Sequence, residues 1–172
     1  MATGPRYRVQ FRRTRMGKTD YRARKQMLFS RKPRLVVRRS LKYTILQLVL
    51  PAKAGDVTLA SANSSELKKY GYSGATGNIP SAYLAGLLLG LRAKKSGYTE
   101  AILDMGLYPA TRGGIIFAAL KGAVNAGIEI PHDPEIFPSD ERVKGKDIDK
   151  YRKTNISEQF EAVKQKIQNE FR

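Results

Sequence analysis

The first 42 residues cannot collapse on themselves. They hold fifteen basic side chains and a single acid, Asp20, for a net charge of +14. Charge at that density repels itself and keeps a segment extended until a polyanion neutralises it. The other 130 residues carry seventeen bases and fourteen acids and are nearly balanced. A packed domain must therefore form from about residue 34 on. Ahead of it lies an arm whose counterion is not in the chain.

The bases of the arm and of the segment that follows are Arg6, Arg8, Arg12, Arg13, Arg15, Lys18, Arg22, Arg24, Lys25, Arg31, Lys32, Arg34, Arg38, Arg39 and Lys42. Most are arginine, whose planar fork matches phosphate and stacks on bases. Tyr7, Phe11, Tyr21 and Phe29 are interleaved among them. Aromatics beside arginines suit unpaired RNA bases, which stack on both. The plainer reading is a solvated tail of non-specific affinity. The apolar residues form no wide stripe, which argues against a membrane surface.

Residues 1–18 have little apolar periodicity and read as an extended arm. Thr19 or Asp20 can cap a short helix reaching about Phe29, and Pro33 prevents its continuation. Leu35–Arg39, Tyr43–Leu50 and Val57–Asn63 read as strands. In the second, Leu46, Leu48 and Leu50 alternate with Tyr43, Ile45, Gln47 and Val49. The short links make the three an antiparallel meander. Ser64–Gly71 suits a short helix, and Ser81–Lys95 a strong one. Ala82, Gly86 and Gly90 recur at four-residue spacing along it, so its backbone can lie close to a neighbour. The plain reading is a buried helix on a sheet. Glu100–Met105 reads as a strand covered on both faces, Ile115–Ala126 as a helix ended by Gly127, and Ile128–Ile130 as a short last strand. Strands followed by helix–strand–helix give an α/β fold, a mixed sheet flanked by helices.

From Pro131 the character changes. Residues 129–172 hold nine bases and ten acids, so the tail is no second polycation. Asn155–Phe171 can form a helix with Phe160, Val163, Ile167 and Phe171 on one face. Such a face needs a docking surface, on this core or on a neighbour. The expected organisation is an arm and short helix over 1–33, a core over 34–130 and an extension over 131–172.

Chemistry is tightly bounded. With no cysteine there are no disulfides, thiolate metal sites or cysteine nucleophiles, and one histidine excludes multi-histidine metal sites. The dense apolar run Ala82–Leu91 is shorter than the ~20 residues of a spanning helix. The glycine-rich stretch 71–78 lacks the Lys-Ser/Thr ending of a P-loop. It and Thr111–Gly114 can serve as caps, or as contacts for an RNA phosphate at a helix start. Arg112 strengthens the second of these. Asp104 ends an apolar strand, where α/β folds often place a catalytic acid. A two-metal nuclease would need further carboxylates around it. Between residues 43 and 128 only Asp56, Glu66 and Glu100 are available, so Asp104 is expected to bond to a loop, with Arg112 as a candidate partner. His132, between prolines, reads as structural. The competing classes are a nuclease, which needs two carboxylates near Asp104, and a DNA-compacting protein, which would prefer duplex DNA to folded RNA.

Several segments keep a family order. The arm over 2–40, LASANSSELKKYGY, TGNIPSAYLAGLLLGLRA, EAILDMGL, FAALKGAVNAGIEIPH and FPSDERVKG follow one another from about Ala2 to Gly145. Together they resemble the large-subunit ribosomal proteins that bind 5S ribosomal RNA, the universal L-eighteen family, in its archaeal form. The resemblance implies a ribonuclease-H-like topology without catalytic carboxylates, no enzymatic activity and no cofactor. It implies residence in cytoplasmic ribosomes, in the central protuberance. The implied partners are 5S rRNA, the large-subunit rRNA and neighbouring ribosomal proteins, including the universal L-five family 5S-binding protein. The expected RNA contacts are the fifteen bases named above with Tyr7, Phe11, Tyr21 and Arg112.

Overall fold

The computed structural model describes residues 4–171; the first three residues of the arm and Arg172 lie outside it. The order is α1 (Arg12–Arg15), α2 (Tyr21–Phe29), β1 (Arg34–Arg39), β2 (Thr44–Ala52), β3 (Gly55–Asn63), a 3-10 helix (Ser64–Tyr70) and α3 (Ile79–Lys95). Then come β4 (Ile102–Asp104), α4 (Ile115–Asn125), a 3-10 turn (Pro134–Ile136), α5 (Asp140–Lys144), α6 (Lys146–Arg152) and α7 (Ile156–Glu170).

The strands form one sheet in the order β3-β2-β1-β4. The meander is antiparallel and β4 joins β1 in parallel, pairing Leu35 with Leu103 and Val36 with Asp104. This is the mixed α/β sheet expected from the sequence. Two details differ. The last strand shrinks to one parallel bridge between Glu100 and Glu129. The arm is not wholly extended, because residues 12–15 make one helical turn.

Strand alternation sorts the side chains. The register Leu35–Leu48 and Val37–Leu46 puts four fully buried residues on one face, beneath α3 and α4. Arg34, Val36 and Arg38 point the other way, toward α2. Between Leu48 and Val49 the register with β3 slips, leaving Leu59 as a bulge.

α3 is apolar around most of its circumference because it is enclosed by more than the sheet. Its small residues face α4. A Cβ on Gly86 would come within 2.0 Å of the Ala119 carbonyl oxygen, and one on Gly122 within 2.1 Å of the Tyr83 carbonyl oxygen. The two helix backbones are in contact, which only glycine at these positions permits. Gly86→Ala is therefore expected to destabilise the fold by about 3 kcal/mol, the upper range for overpacking, despite alanine's higher helix propensity. In a thermal melt that is a fall of roughly 6–12 °C. An unchanged midpoint would show that the helices part at little cost.

The C-terminal helix finds its docking surface on this chain. Ile156, Phe160, Val163 and Ile167 of α7 are buried in the same core, with the Phe160 ring 5.4 Å from that of Tyr83 on α3. The start of α7 is capped from α6. Asp149 accepts from the Ile156 amide at 2.7 Å, the Ser157 amide at 2.9 Å and the Thr154 hydroxyl at 3.0 Å. These bonds, those with Ser157 foremost, hold its carboxyl down to about 2, against 3.8 ordinarily. A carboxyl depressed by folding stabilises the native state above its unfolded pKa and loses that contribution as pH falls through the folded one. Docking of α7 should thus weaken between about pH 4 and pH 2. Asp149→Asn should flatten this limb of an acid titration followed by helix signal.

Candidate nucleic-acid interface

No residue from Gly4 to Phe29 is buried. Asp20, the one acid of this region, is spent on structure: its carboxylate accepts from the amides of Arg22 at 2.8 Å and Ala23 at 3.2 Å and so caps α2. α1 is tied to this cap through Arg13, whose Nε donates to the Thr19 hydroxyl at 3.0 Å. The Phe11 and Tyr21 rings meet at 5.1 Å. Tyr21 thus packs on another arm aromatic, not on the core.

Three arginines face inward and anchor the arm. On Asp56, at the start of β3, one oxygen accepts from Arg24 of α2 at 2.6 Å and from Arg34 of β1 at 2.7 Å. Asp104 accepts from Arg34 at 2.7 Å, from Arg38 at 2.9 Å and from the Gly106 amide at 2.9 Å. A chain of alternating charges thus joins α2, β3, β1 and β4. These groups line a cavity of about 270 Å³ between α2 and the sheet.

This corrects two expectations. Arg34 is not available to a partner: its side chain is 4% exposed, held between two carboxylates. The partners of Asp104 are Arg34 and Arg38, while Arg112 lies 3.7 Å from Glu135. The nuclease reading fails on the same geometry. Guanidinium groups occupy the places a metal would need, and no cluster of three acidic, histidine or cysteine ligands occurs among the described residues.

The remaining bases face outward. Arg6, Arg8, Arg12, Arg13, Arg15, Lys18, Arg22, Lys25, Arg31, Lys32, Arg39 and Lys42 are exposed. Of these, Lys32 is paired with Glu100 at 2.5 Å across a half-exposed bridge. Tyr7, Phe11, Tyr21 and Phe29 are 49%, 71%, 37% and 74% exposed. Aromatic area of this extent, set among cations, is costly in water and offers stacking platforms to unpaired bases.

The glycine-rich stretch folds back on the β1–β2 link. The Thr76 hydroxyl donates to the Lys42 carbonyl at 2.8 Å, and a Cβ on Gly77 would lie 3.2 Å from the Leu41 carbonyl. Asn78 caps α3 through the Ser81 amide at 3.0 Å. Beyond it opens a groove of about 1290 Å³, lined by residues of both loops singled out in the sequence and by Asp147, Ile148 and residues 151–156. Arg39 lines it, as do Arg142, Arg152 and Lys153. Sequence reasoning passed over the last three because they sit in a segment of balanced charge.

No helix among the described residues is long and apolar enough to cross a membrane. The family model described as ribosomal large subunit proteins 60S L5 and 50S L18 matches residues 5–99 and 91–133. Large ribosomal subunit protein uL18 of Methanococcoides burtonii is 51% identical over 172 residues, covering 99% of each chain. Its namesake in Methanothrix thermoacetophila is 49% identical over 97% of this chain and 99% of its own. That of Methanoregula boonei is 52% identical over the same shares. These relatives span the tail as well as the core and arm. Such identity over such length leaves no room for a merely shared topology, and the chain belongs to the family of large-subunit ribosomal proteins that includes L18 and L5, a structural and not an enzymatic family.

Proposed function

We propose that this protein is a structural constituent of the large subunit in cytoplasmic ribosomes. It binds 5S rRNA and attaches it to the large rRNA in the central protuberance, beside the universal L-five family protein. The carrying observation is the outward face of the arm: a dozen exposed bases over residues 6–42 with four exposed aromatics between them, on a segment whose single acid is used as a helix cap. Phosphate contacts give such a surface its affinity, and base contacts its preference.

The two can be separated by mutation. Binding to 5S rRNA, unrelated folded RNA and duplex DNA is measured at two salt concentrations. With about 6–10 phosphate contacts, the slope of log affinity against log salt should be roughly −4 to −9. Arg12→Ala or Arg13→Ala should weaken all RNAs alike and flatten the slope by about one unit. Tyr21→Ala should leave the slope alone and narrow the gap between 5S and unrelated RNA, because it removes a stacking face and the platform for Phe11. Equal affinity for all three nucleic acids at every salt concentration would end the claim of a specific ribosomal site.

A further inference from the structure

We propose that the groove at the N-terminal ends of α3 and α4 is a second RNA site, taking a single-stranded segment of a few nucleotides. The inference rests on the reading of this chain as an RNA-binding ribosomal protein, and it adds a surface that the arm does not include. At about 1290 Å³ the groove exceeds the roughly 300–1,000 Å³ of small-molecule clefts, so it suits a length of polymer.

Charge decides which polymer. Arg39, Arg142, Arg152 and Lys153 line the groove against one acid, Asp147. None of the four bases is ion-paired among the described residues, and five acids of the tail are engaged elsewhere. Asp140 holds Lys121, Glu141 holds Lys146, Glu161 holds Lys144 and Glu135 faces Arg112, while Asp149 caps α7. A tail that is neutral by count thus presents a positive face on one side.

The rim carries the arm's chemistry in miniature. Tyr151 is 87% exposed and directly precedes Arg152 and Lys153. Lys153 ends α6 with a φ of 52°, a left-handed conformation rare for a residue with a side chain. An aromatic beside two unpaired cations offers a base a stacking face and a phosphate its counter-charge. α4 adds first-turn amides that no side chain caps, since its N-cap is Gly114.

The site is continuous with the arm through β1. Neighbouring residues on a strand point to opposite faces. Arg38 faces the cavity under α2, and Arg39, the next residue, lines the groove. The groove thus begins one residue along β1 from the arginine that lines the cavity under α2.

The test uses the full chain, which has no natural tryptophan. Tyr151→Trp places a single reporter on the rim, and hexauridylate is the probe. Hexauridylate should quench this fluorescence to saturation at low salt. Adding Arg142→Gln, Arg152→Gln and Lys153→Gln should weaken that binding about tenfold or more and flatten its salt slope by about two units, at ~0.7 per phosphate on a single strand. A silent reporter in a protein that still binds 5S rRNA overturns the groove and leaves the ribosomal reading standing. Equal quenching by polyglutamate overturns it too, in favour of an acidic protein segment. Failure to bind either hexauridylate or 5S rRNA overturns the ribosomal reading and the groove with it.

Discussion

Deleting residues 1–30 should lower affinity for 5S rRNA by about three orders of magnitude at moderate salt while leaving the core folded. The deletion removes nine bases, from Arg6 to Lys25, and the four interleaved aromatics. If six of those bases touch phosphates, about five units of salt slope go with them, and losses of 10³ or more follow at physiological ionic strength. The core should survive because α1 and α2 bury no residue of their own. What the sheet loses is the cover over Val36 and Val49 and one of two arginines on Asp56. Arg34 keeps both its carboxylates. Circular dichroism and a melt on the truncated protein verify the fold, and a filter-binding titration reads the affinity. A truncated protein that keeps full affinity would move the RNA site onto the core.

Much of this architecture was legible because two periodicities carry it. Leu46 and Leu48 alternate at a period of two and are fully buried, while Ile45 between the strand's start and Leu46 stays 41% exposed. Phe160, Val163 and Ile167 recur at helical spacing and are buried as expected. Caps were legible too. Asp20 stands where a side-chain oxygen can reach the first free amides of α2, and within the stretch 71–78 it is Asn78 that does the same for α3.

What the sequence hid is a matter of partners far along the chain. The small residues of α3 signal a close neighbour without naming it, and only the structure shows α4 there. Arg34 looks like any other base of the arm. Its burial follows from a strand register that brings Asp104, seventy positions away, to its side. Net charge misled in both directions for the same reason. It counted Arg24, Arg34 and Arg38 as free when carboxylates hold them, and it counted Arg142, Arg152 and Lys153 as neutralised when no carboxylate among the described residues pairs with them.

The other large effect concerns the arginine pair on Asp104. Its side chain is 5% exposed and that of Arg34 4%, and they meet at 2.7 Å. Taking two such charges out of water is costly, and their attraction offsets the cost only while both are present. Asp104→Ala leaves Arg34 buried with Asp56 as its sole carboxylate and leaves Arg38 only its bonds to the backbone carbonyls of residues 37 and 104. A loss of about 3–5 kcal/mol is expected, the range for a broken buried pair. Asp104→Asn keeps one acceptor oxygen, which the Gly106 amide can use, but sets an NH2 group in place of the oxygen that faces Arg34, so it breaks the buried pair while sparing the turn. The local consequence is as informative as the global one. Asp56 binds Arg34 and Arg24 through the same oxygen, so an Arg34 released from β4 pulls on the carboxylate that fixes α2. Amides of α2 should exchange faster in Asp104→Asn than those of α3, which the network does not touch. Uniform acceleration in both helices would mean that Asp104 supports the fold without positioning the arm.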